Sequence, residues 1–387
     1  MRVLFLAQHV TRPDDVVPPH GSGSHAAATL AGLRQHHDVL ALFADGSGAG
    51  DSHARRAARR LVPGWLRALR HDLRALRADR RFASRAAAAA REFRPDVVYA
   101  RSEYLCLDGV RVARRLGVPL VLEVNGLLAQ DVRSMYRSPL EPLGAALERY
   151  KHRRAGAIVT VSPGLAELLE DHGADRRKVA VVPNSVSPQR VRRRPASARE
   201  PVVVGWIGHL MQWHVEALEL LIDASPAVPG ISFLIIGGGP GLDDLEARAR
   251  AAGVAGRFRF LGAVPYDEVP ERLEEIDVGV IPAVFEYAFP VKLVEFGAAG
   301  IPVVAPRSES LDAQLVPHEE YEPFTAGDGV ALAEALAGLA ADAERRELLG
   351  RALQRAVTER YTWDVTGRAL RDIVDRVVAG RRVSSGS

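Results

Sequence analysis

Lys292 and Glu295 stand three residues apart within the stretch 282–306, PAVFEYAFPVKLVEFGAAGIPVVAP. On a helix that spacing puts both side chains on one face. The apolar run Val278–Ile281 reads as a strand closed by Pro282, and the loop Phe285–Pro290 leads to a helix expected to open near Val291. Lys292 then lies in the first helical turn, where unpaired backbone N–H groups and the helix dipole attract anions. Glu295 lies one turn on, and an ionised carboxylate can accept two hydrogen bonds from a diol. A cation, a helix start and a carboxylate at the end of a strand make a grip suited to a nucleotide sugar. The competing reading is an exposed ion pair that contributes a small fraction of a kcal/mol.

A grip of this kind needs strands to carry its loops. Apolar runs alternate with helical segments along the whole chain, which is the pattern of a parallel sheet with right-handed crossovers. The alternation occurs twice, over 1–187 and over 202–362, around an Arg- and Pro-rich stretch, 188–201, that reads as an exposed linker. The fold class is therefore α/β, with two Rossmann-like domains, and 387 residues suit two units of roughly 180. The segment 363–387 is expected to form a last helix, 363–379, followed by a disordered tail after Gly380.

Composition narrows the class. Hydrophobic content of 47% and charged content of 26% are globular values, and a net charge of +3 does not call for nucleic acid. The single cysteine, Cys106, lies in a Leu-flanked run and reads as a small core residue. The N-terminus MRVLFLAQHV reads as a first strand rather than a leader, and no apolar run approaches the ~20 residues of a membrane span. A cytoplasmic enzyme is expected.

Ligands in open α/β sheets gather at the carboxyl ends of strands, and several polar groups fall there. Gly21, Ser22, Gly23 and His25 follow the first strand, and Arg101 and Glu103 follow the strand 96–100. Asn125-Gly126 ends the strand beginning at Pro119; alone, that pair also fits a simple turn. In the second domain Gly208, His209 and His214 lie in the loop after strand 203–207, Gly238 and Gly239 lie in a glycine run after 233–236, and Val264 follows 258–261.

The segment Phe289–Gly300, F-P-V-K-L-V-E-F-G-A-A-G, resembles the donor-binding signature of retaining GT-B glycosyltransferases of family 4, in the variant S-P-x-K-L-x-E-Y-M-A-A-G. The resemblance covers nearly the whole chain and is strongest over 204–306. It implies two domains facing across a cleft, with a nucleoside diphosphate sugar, UDP-linked, on the C-terminal domain and the acceptor on the N-terminal domain. By it Phe289, Pro290, Val291, Lys292, Leu293 and Glu295 line the donor, with Lys292 on the diphosphate and Glu295 on the ribose. It puts His209 and His214 where relatives carry a phosphate-clamping Arg and Lys. It implies that the loop of Val264 holds the base through backbone atoms. The segment E-V-N-G, 123–126, is similar to one in which relatives often carry a His at the position of Asn125, close to both substrates. The family's first signature Glu, which meets the donor sugar, would fall at Tyr287, and Glu286 is the neighbouring candidate to replace it. Catalytic roles are thus expected for Asn125, Lys292 and Glu286, and acceptor-side roles for Gly21, Ser22, Gly23, His25, Arg101 and Glu103.

No Asp-x-Asp occurs in the chain, so neither a metal nor another cofactor is expected. Residues 53–94 hold thirteen Arg against Asp72, Asp79 and Glu92. Leu61, Trp65, Leu69, Leu73 and Leu76 recur there near helical spacing. That stripe is expected to pack on the domain with a solvated basic face; the rival is a helix riding anionic lipid. A non-catalytic partner subunit and a nucleotide-sugar epimerase of the same fold remain the alternative functions.

Overall fold

The computed structural model describes residues 1–8, 21–43, 63–135, 137–191, 200–265 and 268–384. Two six-stranded, wholly parallel sheets form the frame. The first comprises β1 (Arg2–Ala7), β2 (Asp38–Phe43), β3 (Val97–Arg101), β4 (Leu120–Val124), β5 (Ala157–Thr160) and β6 (Val179–Val181), in the order β2-β1-β3-β4-β5-β6. The second comprises β7 (Val202–Ile207), β8 (Ile231–Ile236), β9 (Phe258–Gly262), β10 (Val278–Val280), β11 (Val303–Pro306) and β12 (Glu322–Phe324), in the order β12-β11-β10-β7-β8-β9. Strands such as V-L-F-L-A and V-L-E-V are buried along their length because helices cover both faces of each sheet. Both sheets reverse their winding once, between β1 and β3 and between β7 and β10. A crevice opens at such a switch point, beyond the carboxyl ends of the strands.

The last helix, Trp363–Ser384, returns to the first sheet. Leu370, Ile373, Val374 and Val378 bury against Val3, Phe5, Val97 and Val121. It crosses helix Gly21–Arg34 so closely that a Cβ on Gly32 would lie 2.9 Å from the Gly367 Cα. The helix runs to Ser384, so residues 381–384, expected to be disordered, continue it.

The Arg-rich segment departs further from expectation. Helix Gly64–Phe93 is continuous for 30 residues, and its buried face is Ala68, Asp72, Asp79, Phe82, Ala83, Ala86, Ala87 and Ala90. The stripe expected inside turns outward: Trp65 is 61% exposed and Leu73 is 40% exposed, while Leu61 lies outside the described residues. The physical reason is the pair of buried acids. Asp79 accepts the Leu107 N–H at 3.0 Å and pairs with Arg111, and Asp72 accepts the Ser138 hydroxyl. Buried carboxylates with partners fix the rotation of the helix, because turning it would strand both charges.

The Gly32–Gly367 crossing yields a stability test. A Cβ on Gly367 would sit 2.6 Å from Gln35 Oε1 and 3.0 Å from the Gly32 carbonyl oxygen. Gly367→Leu should lower unfolding stability by ~1–3 kcal/mol through overpacking, read as a drop in Tm. An unchanged Tm would show that the two helices do not meet in this way.

Candidate functional site

Helix Val291–Ala298 begins after Pro290, whose extended backbone ends the loop, and no side chain caps its first turn. Elsewhere Ser162, Ser308, Asp328 and Asp342 accept hydrogen bonds from such first-turn N–H groups. The uncapped first turn of helix Val291–Ala298, a feature shared with helices such as Gln212–Ala224 and Leu242–Ala251, carries Lys292. Its Nζ lies 4.1 Å from the centre of the Trp206 ring at the end of β7. Burial lowers the ammonium to about 7, with Glu295 opposing the shift. The positive end of the helix dipole adds to that penalty. The ring face offsets part of the cost. Glu295 is raised to about 7 by burial, against the charges of Arg190 and Lys292.

The glycine loops stand over this group, interlocked. The Leu210 N–H donates to the Gly238 carbonyl at 3.0 Å, and the Gly208 N–H donates to Ile236 at 3.0 Å. Gly237, at φ 146°, admits no side chain, since a Cβ would lie 1.7 Å from the Gly208 oxygen. The glycines therefore serve loop-to-loop contact first, and Gly239 packs in the same way on the Leu210 carbonyl, 2.5 Å from its would-be Cβ. A Cβ on Gly208 would stand 3.3 Å from Lys292 Nζ, so the absent side chain leaves room at the ammonium.

His214 does not supply charge here. Its Nδ1 lies 2.5 Å from the His209 carbonyl, and burial together with Lys292 lowers it to about 3. A ring held this way is neutral and donates to its own loop, with its face edge-on to Trp206. The protonated-histidine clamp expected at this position is corrected to a neutral loop brace; His209 is half-buried in the same loop. Phe289 and Leu293 are fully buried, so only their backbone can meet a ligand. Phe289 packs on Tyr361, and its carbonyl accepts from Asn184 of the N-terminal domain. Pro290, Val291 and Val264 are half-buried at loop ends.

Glu286 is exposed, and the Glu309 N–H lies 3.4 Å from its Oε1. The residue that crosses to the other domain is Tyr287: its hydroxyl donates to Asp131 at 3.1 Å, and its carbonyl accepts from Ser162 and Ser310.

On the N-terminal side the expected acceptor residues converge on a group that sequence reasoning did not single out. Glu123 in β4 is 1% exposed. Asn125 Nδ2 donates to it at 2.8 Å, Tyr99 OH at 2.9 Å and Thr29 Oγ1 at 3.2 Å, while His25 Nε2 lies 3.1 Å and Arg101 Nε 3.3 Å from it. Burial opposes ionisation, but Arg101, His25 and Asn125 overcome it and hold the carboxyl well below the usual range. His25 and Arg101 are thus turned inward onto Glu123 rather than toward an acceptor. Asn125 must face an acceptor-only carboxylate with its NH2, which leaves Oδ1 without a partner among the described residues. Glu103 stands outside the hub; its carbonyl accepts from the buried Lys151. Gly21, Ser22 and Gly23 form the first turn of helix Gly21–Arg34, not a loop before it. An acid inside the apolar strand L-V-L-E-V was the signal for Glu123, since such a charge requires partners. Arg190, one of five arginines in 187–201, carried none.

Residues 19–190 match the profile of Glycosyltransferase Family 4, and residues 201–342 match that of the Glycosyl transferases group 1. The chain is 31% identical over 317 residues to the 2-deoxystreptamine N-acetyl-D-glucosaminyltransferase of Streptomyces fradiae, covering 77% of this chain and 74% of that one. It is 33% identical over 216 residues to the 2-deoxystreptamine glucosyltransferase of Streptomyces kanamyceticus, covering 51% of this chain and 55% of that one. Among solved structures, sucrose-phosphate synthase of Thermosynechococcus elongatus superposes with a TM-score of 0.79 at 16% identity, over 98% of this chain and all of that one. That likeness shows a GT-B fold.

The charges above set a pH test. A bound diphosphate raises the Lys292 pKa above its free value of about 7. The Lys292 contribution to affinity is then full below that value and declines as pH rises through it toward the bound-state pKa. Binding of a nucleoside diphosphate ester should weaken from about pH 7 to 9, where an unperturbed histidine near 6.5 no longer titrates. Lys292→Met should remove that limb and most of the affinity. His214→Asn should leave the limb in place.

Proposed function

The chain belongs to glycosyltransferase family 4, and on that premise we propose that it moves a hexosyl group, with retention, from a UDP-linked sugar to a hydroxyl of a small aminocyclitol. The observation that carries the donor reading is Lys292: a half-buried cation at an uncapped helix start, above Trp206 and beside the Gly208 loop. Only an anion satisfies the N–H groups, the dipole and the ammonium together. The aminocyclitol reading is supported by two Streptomyces relatives whose names place 2-deoxystreptamine on the acceptor side.

In this reading the Val291 and Lys292 amides and the Lys292 ammonium hold the diphosphate, and Glu295 accepts the ribose hydroxyls. The bond between the anomeric carbon and the phosphate oxygen breaks while the acceptor oxygen bonds on the same face. The acceptor hydroxyl proton passes to the leaving phosphate oxygen, so no separate base is required. The negative charge growing on that phosphate meets groups already oriented toward it, which is the largest contribution a fixed site makes to a rate. This reading gives the buried Asn125 Oδ1, which has no partner among the described residues, to a substrate hydroxyl next to the reacting centre. Neutralisation of the leaving group by Lys292 and the helix start makes the reaction metal-independent.

Incubation with UDP-glucose or UDP-N-acetylglucosamine and 2-deoxystreptamine should give a product whose anomeric proton, by NMR, keeps the α configuration of the donor. GDP- and TDP-linked sugars should react more slowly, and turnover should persist in excess EDTA. A β-linked product, or loss of turnover on chelation restored by magnesium, would contradict the scheme. Glu295→Ala should raise the donor KM, since its ribose partner costs ~1–3 kcal/mol to leave unpaired.

A further inference from the structure

In the loop Phe285–Pro290, the Tyr287 side chain reaches a carboxylate of the opposite domain. Its hydroxyl lies 3.1 Å and 3.4 Å from the two oxygens of Asp131. Asp131 belongs to helix Leu128–Met135, which leaves the end of β4 just after Asn125 and Gly126. Gly126 is pressed against the pair: a Cβ there would lie 2.9 Å from Asp131 Oδ2 and 3.4 Å from the Tyr287 hydroxyl. The carboxylate therefore stands at the backbone step that follows Asn125.

Two further features mark this place. The first is aromatic. The Phe285 and Tyr287 rings lie parallel, with centroids 5.6 Å apart and planes within 5°, and Trp213 tilts against Phe285 at 6.5 Å. Phe285 is 46% exposed, a large apolar face presented to solvent beside a carboxylate. The second is a pair of neighbouring carboxylates. Glu148 accepts the Ala129 N–H at 3.0 Å, the charge of Asp131 is felt at Glu148, and both charges are felt at Tyr287. Lys151, the buried cation next to Glu148, offsets part of the Glu148 charge and donates to Ser102 Oγ and the Glu103 carbonyl, both at 2.8 Å. Burial raises both Asp131 and Glu148 above the ordinary carboxyl range, and Tyr287, raised by burial and by Asp131, stays a neutral donor. A cation arriving here relieves the desolvation and repulsion of these carboxylates, and an aromatic face beside it adds cation–π attraction.

We propose that Asp131, positioned by the Tyr287 hydroxyl, is the specificity-determining residue that pairs with a protonated amino group of the acceptor, whose ring lies against Phe285 and Tyr287. The inference rests on the aminocyclitol reading above and assigns its recognition to one side chain. Tyr287 acts through Asp131 and is a positioning residue.

The test uses the full-length protein with two acceptors, 2-deoxystreptamine and a deoxyinositol that carries hydroxyls in place of its amines. Asp131→Asn keeps the shape and the Tyr287 hydrogen bond and removes the charge. It should raise the KM for the diamine about tenfold or more, to the level of the deoxyinositol, while leaving kcat, the deoxyinositol KM and donor affinity in place. Tyr287→Phe should raise the diamine KM by a smaller factor with kcat retained, because the stacked ring survives. Equal losses for both acceptors, no loss for either, or a change confined to the donor sugar would overturn the role of Asp131. A wild-type protein that binds UDP but neither cyclitol, by calorimetry, would overturn the acceptor class and this inference with it.

Discussion

A lysine ammonium at the positive end of a helix, half out of water, is the constraint on which the C-terminal domain depends. Lys292 has the helix dipole and burial against it and one ring face, Trp206, in its favour. No protein carboxylate approaches within ion-pair distance of it among the described residues. The Gly208 and Gly237–Gly239 loops are locked to each other, backbone on backbone, so the space over the ammonium is fixed before any ligand arrives. Such an arrangement is complete only with an anion, and a site organised in advance spends little free energy on rearrangement when charge develops.

The N-terminal domain is organised by a charge of the opposite sign. Glu123 is buried in a strand, and helix Gly21–Arg34, β3 and the Asn125 step each send it a donor or a cation. Five partners on one carboxylate set the height at which three elements end, which places Asn125 Oδ1 and, one helix turn later, Asp131. Removing one partner from a buried network of this kind costs more than any surface pair contributes. Between the two centres a series of rings, Trp206, His214, Trp213, Phe285 and Tyr287, runs from the ammonium to the Asp131 carboxylate. The two half-sites therefore meet through side chains as well as through the fold.

Much of this was legible in the sequence because it is local. Strand runs without a polar residue, the spacing of Lys292 and Glu295, and Pro290 before the helix all act over a few residues, and the two sheets and the helix that carries Lys292 and Glu295 follow from them. Long-range partners were not legible. His25, Arg101 and Asn125 were expected on the acceptor side, and their common target, Glu123, was hidden inside an apolar strand. The periodicity of Trp65, Leu69 and Leu73 pointed to a buried stripe, yet Asp72 and Asp79, with partners far along the chain, turned the helix the other way. His214 matched a position where relatives carry a cation, and its burial and the neighbouring Lys292, which lower its pKa, come from distant parts of the chain. Asp131 and Tyr287 are 156 residues apart, and nothing in either neighbourhood announces the other.

The most direct test of the central claim is a count of protons. Calorimetric titration with UDP-glucose at about pH 8, in two buffers of different ionisation enthalpy, reads the protons taken up on binding, since a group whose pKa rises on complex formation must bind protons between its free and bound values. With Lys292 lowered to about 7 in the empty site, uptake approaching one proton per molecule is predicted, and it should vanish in Lys292→Met while persisting in His214→Asn. Binding of UDP-glucose with no proton uptake in the unaltered protein would contradict the account.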